Sequence, residues 1–272
     1  MFPEELVKKL ALENGASACG LAPAGPLAEY GRFLSALKDL PPSLGYLARN
    51  PEKRSDIGNW FAGARSALMC AFNYWEPGRN YEKTLACAGA PRIFLERSGR
   101  KITQPGFFET GNEKIARYAL CPDYHDWVKD TLLKILVGIK RAFPQAEGRA
   151  FVDTAPVLEK EMGRLAGLGF RGKNTLLINP ETGSYFVLGG LALNLELKPG
   201  APLTCGCGDC DLCVNACPRG ALKDGRLLSE KCSSYLTTQA KEKLPPETAL
   251  NSGGFAYGCD ICQEVCPFNK SG

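Results

Sequence analysis

The sequence predicts an α+β protein made of a mixed α/β region, residues 1–199, followed by a small cysteine-rich domain, residues 200–272. Three observations support this division. Helical and strand-like apolar patterns alternate along the first 200 residues, a proline-glycine linker follows at residues 198–202, and nine of the 13 cysteines lie between Cys205 and Cys266. A length of 272 residues corresponds to one large domain or two small ones and is ample to bury a core.

The composition is that of a globular protein, with 44% hydrophobic and 23% charged residues. The N-terminus (MFPEELVKKL) carries acids and lysines where a signal peptide needs an apolar core, and glycine and asparagine interrupt the apolar run at residues 186–197. The net charge of +4 permits contact with a polyanion without requiring it. We therefore expect a soluble cytoplasmic protein, in which clustered cysteines indicate metal or redox centres rather than disulfides.

The apolar patterns predict individual elements in order along the chain. Phe2, Leu6 and Leu10 share one helical face that ends near Gly15. The remaining predictions are a buried strand at 66–74, an irregular excursion at 76–111, helices at 113–120 and 124–143, a strand at 149–153, a helix at 157–165, and strands at 175–179 and 184–197.

The cysteines of the last 70 residues form two sets. The first set, followed by Pro218, has the spacing C-x2-C-x2-C-x3-C-P, and Pro267 follows the last cysteine of the second. In bacterial ferredoxins, three closely spaced thiolates of such a run hold one [4Fe–4S] cluster and the fourth ligates a second cluster. This reciprocal pattern assigns Cys207, Cys210, Cys213 and Cys266 to cluster one, and Cys217, Cys232, Cys259 and Cys262 to cluster two.

A pair of zinc sites is the alternative interpretation, because C-x2-C also occurs in zinc knuckles. Zinc ligands usually come as two separated pairs, however, and do not need a third cysteine at the same spacing before Cys-Pro. Cys205 is left over, and the scattered Cys19, Cys70, Cys87 and Cys121 are typical of buried thiols. Two adjacent clusters conduct electrons, so we expect residues 1–199 to hold the group that is reduced.

Seven segments of the chain stand in a recognisable order: GYLARNPEKR, GARSALMCAFNYW, IARYALCPDYH, FVDTAPVLEKEMGRLAGLGFRGKNTLLINPETGSYFVLG, CGDCDLCVNACPRGAL, CSSYLT and GCDICQEVCPFN. In these segments the chain resembles the epoxyqueuosine reductase family of cobalamin-dependent iron–sulfur enzymes. The resemblance implies a cobalamin between a catalytic N-terminal domain and a ferredoxin-like double-cluster domain. It also implies base-off binding without a histidine ligand. Family members often carry helical repeats after the second Cys-Pro motif, so a chain ending at Gly272 is expected to be a short form.

Asp153 matches the catalytic proton donor of the family. From the sequence alone, Asp153-Thr-Ala-Pro156 could equally begin a helix, with the aspartate as its N-cap. For the catalytic interpretation, we expect the surrounding apolar residues to bury the carboxyl and raise its pKa, so that it is protonated near neutrality; these are Phe151, Val152, Ala155 and Val157.

The resemblance implies six further cofactor contacts: Arg54, Lys173, Asn174, Thr175, Ser234 and Asp260. His125 is the only histidine, which argues against a catalytic triad or a histidine-rich metal site. Asp123-Tyr-His125 begins like the D-x-H-x-x-G cobalamin motif, but Val128 occupies the glycine position. We therefore interpret His125 as a structural or pocket-lining residue.

The leading functional hypothesis is reduction of epoxyqueuosine to queuosine at the wobble position of tRNA, with Asp153 as the acid. The expected partners are the tRNA anticodon loop and a low-potential donor such as ferredoxin or flavodoxin, and we expect a monomer that does not bind a membrane. Two alternatives stay open. One is a cobalamin-dependent reductase of a small molecule such as an organohalide, and the other is a non-catalytic ferredoxin-type electron carrier.

Overall fold

The computed structural model describes residues 2–75, 102–104, 107–108, 114–240 and 252–270. Most of the predicted excursion at 76–111, together with Cys87, lies outside these ranges. The helices of the described residues are α1 (Pro3–Glu13), α2 (Tyr30–Leu37), α3 (Tyr124–Ala142), α4 (Glu159–Leu165), α5 (Leu212–Ala216), α6 (Ser233–Thr238) and α7 (Ile261–Glu264). Short 3-10 turns occupy Pro42–Ala48, Pro51–Arg54, Ile57–Asn59, Arg117–Leu120, Ser229–Lys231 and Pro267–Asn269.

Four strands form the main sheet: β1 (Ala18–Pro23), β2 (Ser66–Asn73), β6 (Gly148–Phe151) and β9 (Phe186–Leu193). Their order is β1-β2-β9-β6, and every neighbouring pair is antiparallel. The short strands are β3 (Ile102–Gln104), β4 (Phe107–Phe108), β5 (Lys114–Ile115), β7 (Phe170–Arg171), β8 (Leu177–Ile178), β10 (Leu222–Lys223), β11 (Arg226–Leu227) and β12 (Phe255–Tyr257).

Strand β2 is buried on both faces, which explains its uninterrupted apolar sequence. Leu68, Cys70 and Phe72 belong to the core that packs against α1 and α3, whereas Ala67 and Met69 belong to the core beneath α4. A strand in this central position has no polar face to present to water. The prediction of a buried strand here is confirmed, and so are the helices at the N-terminus and at 124–143.

The long helix α3 covers one face of the sheet through a single apolar stripe. Leu132 is fully buried there, whereas the next residue, Leu133, is 44% exposed. We expect Leu132→Ala to lower the free energy of unfolding by about 2–5 kcal/mol, because it removes buried methyl groups and leaves a cavity. Leu133→Ala is the matched control and should cost about 0.5 kcal/mol or less. Urea unfolding followed by circular dichroism checks both values, and equal effects would contradict the assigned face.

The helix predicted over residues 113–120 is wrong. Strand β5 occupies its start and pairs in parallel with β12 of the cysteine-rich region, and a 3-10 turn at Arg117–Leu120 follows. Ile115 and Ala119 pack against Tyr257, so long-range pairing determines the backbone here. Local helical periodicity gives no information about such a partner, which lies 140 residues away in the sequence.

The cysteine-rich region packs on the α/β region through aromatic and polar contacts. Phe268 meets Phe170 edge-on at 5.2 Å between ring centroids, and Asn269 Oδ1 accepts a hydrogen bond from the Ser184 amide at 2.7 Å. The linker residue Gly200 also donates its amide hydrogen to the Leu21 carbonyl of β1. The boundary between domains 1–199 and 200–272 stays a prediction.

Candidate active site and cluster centres

Four cysteine side chains line one cavity in the cysteine-rich region: Cys207, Cys210, Cys213 and Cys266. The cavity has a volume of about 360 Å³, including its open mouth, and Ile178 and Phe268 contribute apolar walls. Burial is the main cause that raises the pKa of the Cys213 and Cys266 thiols, and neighbouring cysteines add to it. Thiols in such surroundings ionise when a cation binds them, so this cavity fits a cluster held by four thiolates.

The other four cysteines of the motif form a second group, made of Cys217, Cys232, Cys259 and Cys262. The pKa of Cys259 is raised to about 11, mainly by burial and also by the nearby Cys232 and Cys217. Cys262 has a raised pKa because of burial and of its neighbours Cys259 and Cys232. Cys262 also interacts with Cys213 of the first group, so the two groups are adjacent.

Backbone amides support both groups of cysteines. The Lys173 amide donates a hydrogen bond to Cys207 Sγ at 3.4 Å, and the Ala221 amide donates to Cys217 Sγ at 3.2 Å. Such N–H···S bonds stabilise negative charge on a cluster and influence its reduction potential. Cys205 is exposed and is not among the residues of either group. The first group lines a cavity that fits a four-thiolate cluster, and the interactions of Cys259 and Cys262 with the other two cysteines bring the second group together. The predicted ligand sets remain predictions residue by residue.

Asp153 lies on the loop between β6 and α4 with a left-handed backbone, φ 44°. The helix begins at Glu159 with Leu158 as its N-cap, so the alternative role of Asp153 as a helix N-cap is wrong. The expectation of a buried carboxyl is also wrong, since this side chain is 57% exposed. Phe151 and Val152 pack into the two cores on either side of the sheet, and not around the carboxyl.

His125 contacts two carboxyl groups. Its Nε2 lies 3.0 Å from Asp153 Oδ2, and its Nδ1 lies 2.6 Å from Asp123 Oδ1. The hydrogen bond to Asp153 is the main cause that raises the pKa of His125 to about 9, with Asp123 adding to it and burial opposing it. The same hydrogen bond lowers the pKa of Asp153. At neutral pH, the proton of this pair therefore resides on the imidazole and Asp153 is ionised.

The sequence contained a signal for this arrangement. The Asp123 carboxylate accepts a hydrogen bond from the His125 amide at 3.0 Å and caps α3, so Asp-x-His at a helix start sets the position of the ring. The sequence predicts a structural or pocket-lining role for His125, and the structure adds its contact with Asp153. Tyr124, the intervening residue, also interacts with Asp153.

Glu159 completes this cluster at the first turn of α4. Its Oε1 accepts a hydrogen bond from the Asp153 amide at 2.6 Å. The pKa of Glu159 is raised to about 8, mainly by burial and also by the charge of Asp153. Within this cluster, Glu159 is therefore the carboxyl whose pKa is raised. The prediction of a raised pKa for Asp153 is wrong, because the pKa of Asp153 is lowered.

The His125–Asp153 pair predicts a dependence of stability on pH. Because the folded pKa of His125 lies above its ordinary value of 6.5, the stabilisation is complete below pH 6.5 and is lost as the pH rises through about 9. We expect the difference in Tm between the wild type and His125→Asn to be largest near pH 6 and to shrink by pH 9.5. Thermal unfolding across this range checks the prediction, and a difference that does not change with pH would contradict it.

Arg54 is a buried cation, with 8% of its surface exposed. Its Nη1 donates to the Arg49 carbonyl at 3.3 Å, and its guanidinium lies over the Phe33 ring. Among the described residues, no carboxylate lies within ion-pair distance of it. Tyr46 interacts with both Arg54 and Asp153, so this unbalanced charge lies near the Asp153 loop. A buried charge of this kind fits a polar or anionic group of a bound cofactor.

The other predicted cofactor contacts fall into different places. Lys173 and Asn174 line the first cysteine cavity, and Lys173 Nζ pairs with Asp211 Oδ1 at 2.7 Å. Thr175 follows with φ 66°, and its carbonyl accepts a hydrogen bond from Lys160 Nζ at 3.1 Å.

The last two predicted contacts lie in the cysteine-rich region. Ser234 is half-buried on α6, next to Tyr235, whose hydroxyl lies 2.6 Å from that of Ser43. Asp260 is buried between two cysteines, where its Oδ2 accepts a hydrogen bond from the Arg117 amide at 2.7 Å. The structure brings neither residue into contact with Asp153, and their cofactor roles remain predictions.

Backbone strain is concentrated around these residues. Within the described ranges, four non-glycine residues have positive φ: Asn50, Asp153, Thr175 and Asp224. Asp224 lies in the tight turn between β10 and β11, where this conformation is ordinary. The other three lie just before the turn that carries Arg54, at Asp153, and beside Lys160. Left-handed residues of this kind often occur at functional sites.

Comparison with known proteins identifies the family. A model described as epoxyqueuosine reductase QueG, DUF1730, matches residues 54–154, and a 4Fe-4S double cluster binding domain matches residues 206–269. An epoxyqueuosine reductase of Cyclobacterium marinum is 36% identical over 270 residues, which are 98% of this chain and 79% of that protein. The chain belongs to the epoxyqueuosine reductase family.

Solved structures of the family have the same fold. The epoxyqueuosine reductase of Streptococcus thermophilus superimposes with a TM-score of 0.79 and 30% identity, over 97% of this chain and 65% of that one. An epoxyqueuosine reductase structure with an epoxyqueuosine-modified tRNA-Tyr stem loop has a TM-score of 0.75 and 28% identity, over 98% and 65% of the two chains. The chain thus spans slightly less than two thirds of these structures.

These matches confirm the predicted family, the α+β fold with a C-terminal double-cluster domain, and the two [4Fe–4S] clusters. Membership in a family of reductases also agrees with the predicted oxidoreductase class and with the expected cobalamin. Base-off binding stays a prediction. In the part of the chain that the structure describes, none of the helices combines the length and apolarity needed to cross a membrane.

Proposed function

We propose that this protein reduces epoxyqueuosine to queuosine in tRNA. The observation that carries the proposal is the contact between His125 Nε2 and Asp153 Oδ2 in a chain that also has a double-cluster domain. Loss of the epoxide oxygen as water consumes two electrons and two protons, so the enzyme needs both an electron path and an acid. The two clusters held by the eight cysteines supply the electron path, and the His125–Asp153 pair supplies the acid.

Asp153 delivers the proton to the oxygen that leaves carbon. A carboxylate next to an imidazolium receives a proton from Nε2 as negative charge develops on the substrate, and Asp123 stabilises the imidazole from the opposite side. The half-exposed position of Asp153 leaves one side of its carboxyl open to a bound base. His125 then takes up the next proton from solvent.

The residues that would hold the cobalamin or the structure around it are Arg54, Lys173, Asn174, Thr175, Ser234 and Asp260. The buried guanidinium of Arg54 would interact with a polar group of the cofactor. When bound, cobalamin supplies a cobalt centre that accepts electrons from the clusters and reduces the substrate. Both His125 ring nitrogens contact carboxylates, which supports the proposal that His125 would not be a ligand of the cofactor.

The proposed partners follow from this chemistry. A wobble base in an anticodon loop is unstacked easily and enters a pocket as a flipped nucleotide. Clusters of low potential require a donor of low potential, and we propose a ferredoxin or flavodoxin. We further propose that the enzyme acts as a monomer in the cytoplasm, where its tRNA substrate is found.

The test combines anaerobic holoprotein, a low-potential reductant and tRNA that carries epoxyqueuosine. Mass spectrometry of the digested nucleosides should detect queuosine in proportion to enzyme and time. The same tRNA with an unmodified wobble guanosine is the control and should give no product. A brominated phenol in a parallel reaction tests the small-molecule alternative, and debromination without queuosine formation would reject the proposal.

A further inference from the structure

The loop that carries Asp153 is held by a hydrogen bond to Glu159, a residue of the following helix. Asp153 has a left-handed backbone, a conformation that costs free energy for a residue with a Cβ atom, so the contacts around the loop help to hold it. Its amide hydrogen points to Glu159 Oε1 at 2.6 Å, and its carboxyl points to His125 Nε2 at 3.0 Å. The first contact restrains the backbone and the second restrains the side chain.

We propose that Glu159 is a positioning residue that keeps the Asp153 carboxyl at His125 by holding the Asp153 amide. This inference deepens the proposed function and rests on it, because it assigns to Glu159 the preorganisation of the acid. Glu159 is the first residue of α4, so the helix supplies a rigid support for the loop. Without this acceptor, the strained backbone loses the contact that restrains its amide, and the loop is freer to leave its left-handed conformation.

The charges around Glu159 allow it to accept this hydrogen bond next to a second carboxyl. Asp153, His125 and Lys160 all interact with it, and Tyr124 interacts with both carboxyl groups. Lys160 Nζ donates its hydrogen bond to the Thr175 carbonyl and not to the Glu159 carboxyl. Burial and the Asp153 charge raise the pKa of Glu159 to about 8, so a neutral carboxyl adjoins the ionised Asp153 without repulsion.

Two substitutions of Glu159 distinguish a positioning role from a proton-donating role. Glu159→Gln keeps a carbonyl oxygen at the position of Oε1 and removes the proton, so most of the activity should remain. Glu159→Ala removes the acceptor, and kcat should fall at least about 10-fold with an unchanged KM for tRNA. Glu161→Gln is the matched control, because Glu161 pairs with Arg164 at 2.7 Å outside this cluster.

The single histidine provides a readout that does not depend on turnover. In holoprotein labelled with 15N-histidine and kept oxidised, the NMR titration reports His125 alone. We expect a pKa of about 9 in the wild type and a similar value in Glu159→Gln. In Glu159→Ala it should fall by at least about one unit towards its ordinary value, because the freed loop takes Asp153 away.

The two readouts distinguish the possible outcomes. A shifted His125 titration in Glu159→Ala supports the positioning role even if tRNA proves not to be the substrate. An unchanged titration and an unchanged kcat in Glu159→Ala would overturn it, and loss of activity in Glu159→Gln would show instead that Glu159 is a proton donor. If Glu159→Ala does not fold, Glu159→Asp replaces it, because its side chain is one methylene too short to reach the amide.

Discussion

Replacement of Asp153 by asparagine is expected to lower kcat by about two to four orders of magnitude, the usual contribution of a general acid. Asparagine keeps the size of the side chain and can still face His125, but it cannot pass a proton to the leaving oxygen. The clusters and the cobalamin should bind as in the wild type. The Asp153 side chain is half-exposed on its loop, and the cluster ligands are all cysteines. Steady-state queuosine formation, with iron and corrinoid content measured on the same samples, checks this expectation.

Asp130→Asn is the matched control for this substitution. Asp130 is exposed on the same helix as His125, and we expect wild-type turnover from it. Retained activity in Asp153→Asn would reject Asp153 as the acid, whereas loss of corrinoid in that variant would indicate a structural role.

Substitution of a single cluster cysteine is expected to remove about four of the eight irons per chain. Cys262→Ala should lose cluster two and Cys266→Ala should lose cluster one, although the two cysteines are only four residues apart in the sequence. This result follows from the reciprocal arrangement, in which Cys266 closes the cavity of Cys207, Cys210 and Cys213. Iron analysis and electron paramagnetic resonance of the reduced proteins distinguish the remaining cluster in each case.

Cys205→Ala is the control for the cysteine series. Cys205 is exposed and belongs to neither group, so the variant should keep about eight irons. Loss of iron from this variant, or the same remaining cluster in Cys262→Ala and Cys266→Ala, would contradict the proposed ligand sets.

The sequence predicts this fold best where local pattern and burial agree. The apolar run of β2 and the stripe of α3 each reflect a single environment, a strand buried on both faces and a helix buried on one. The segment at residues 113–120 has no such signal. Its backbone depends on pairing with Phe255–Tyr257, and a partner so distant in sequence leaves no periodic trace.

The candidate site shows the same contrast. Ligand spacing is a local property, so the cysteine motif predicted two groups that the structure brings together. Asp123, His125, Asp153 and Glu159 meet through a helix cap, a strained loop and the start of another helix. The resemblance pointed to Asp153. The lowered pKa of Asp153 and the raised pKa of Glu159, however, depend on contacts that exist only in the folded chain.

The most direct test of the account is the metal and corrinoid content of protein prepared without oxygen. We expect a brown protein with about eight iron and eight sulfide ions per chain, which binds one corrinoid and shows its visible absorbance. A colourless protein that contains zinc, lacks sulfide and does not bind a corrinoid would contradict the central claim that two iron–sulfur clusters supply electrons to a cofactor beside Asp153.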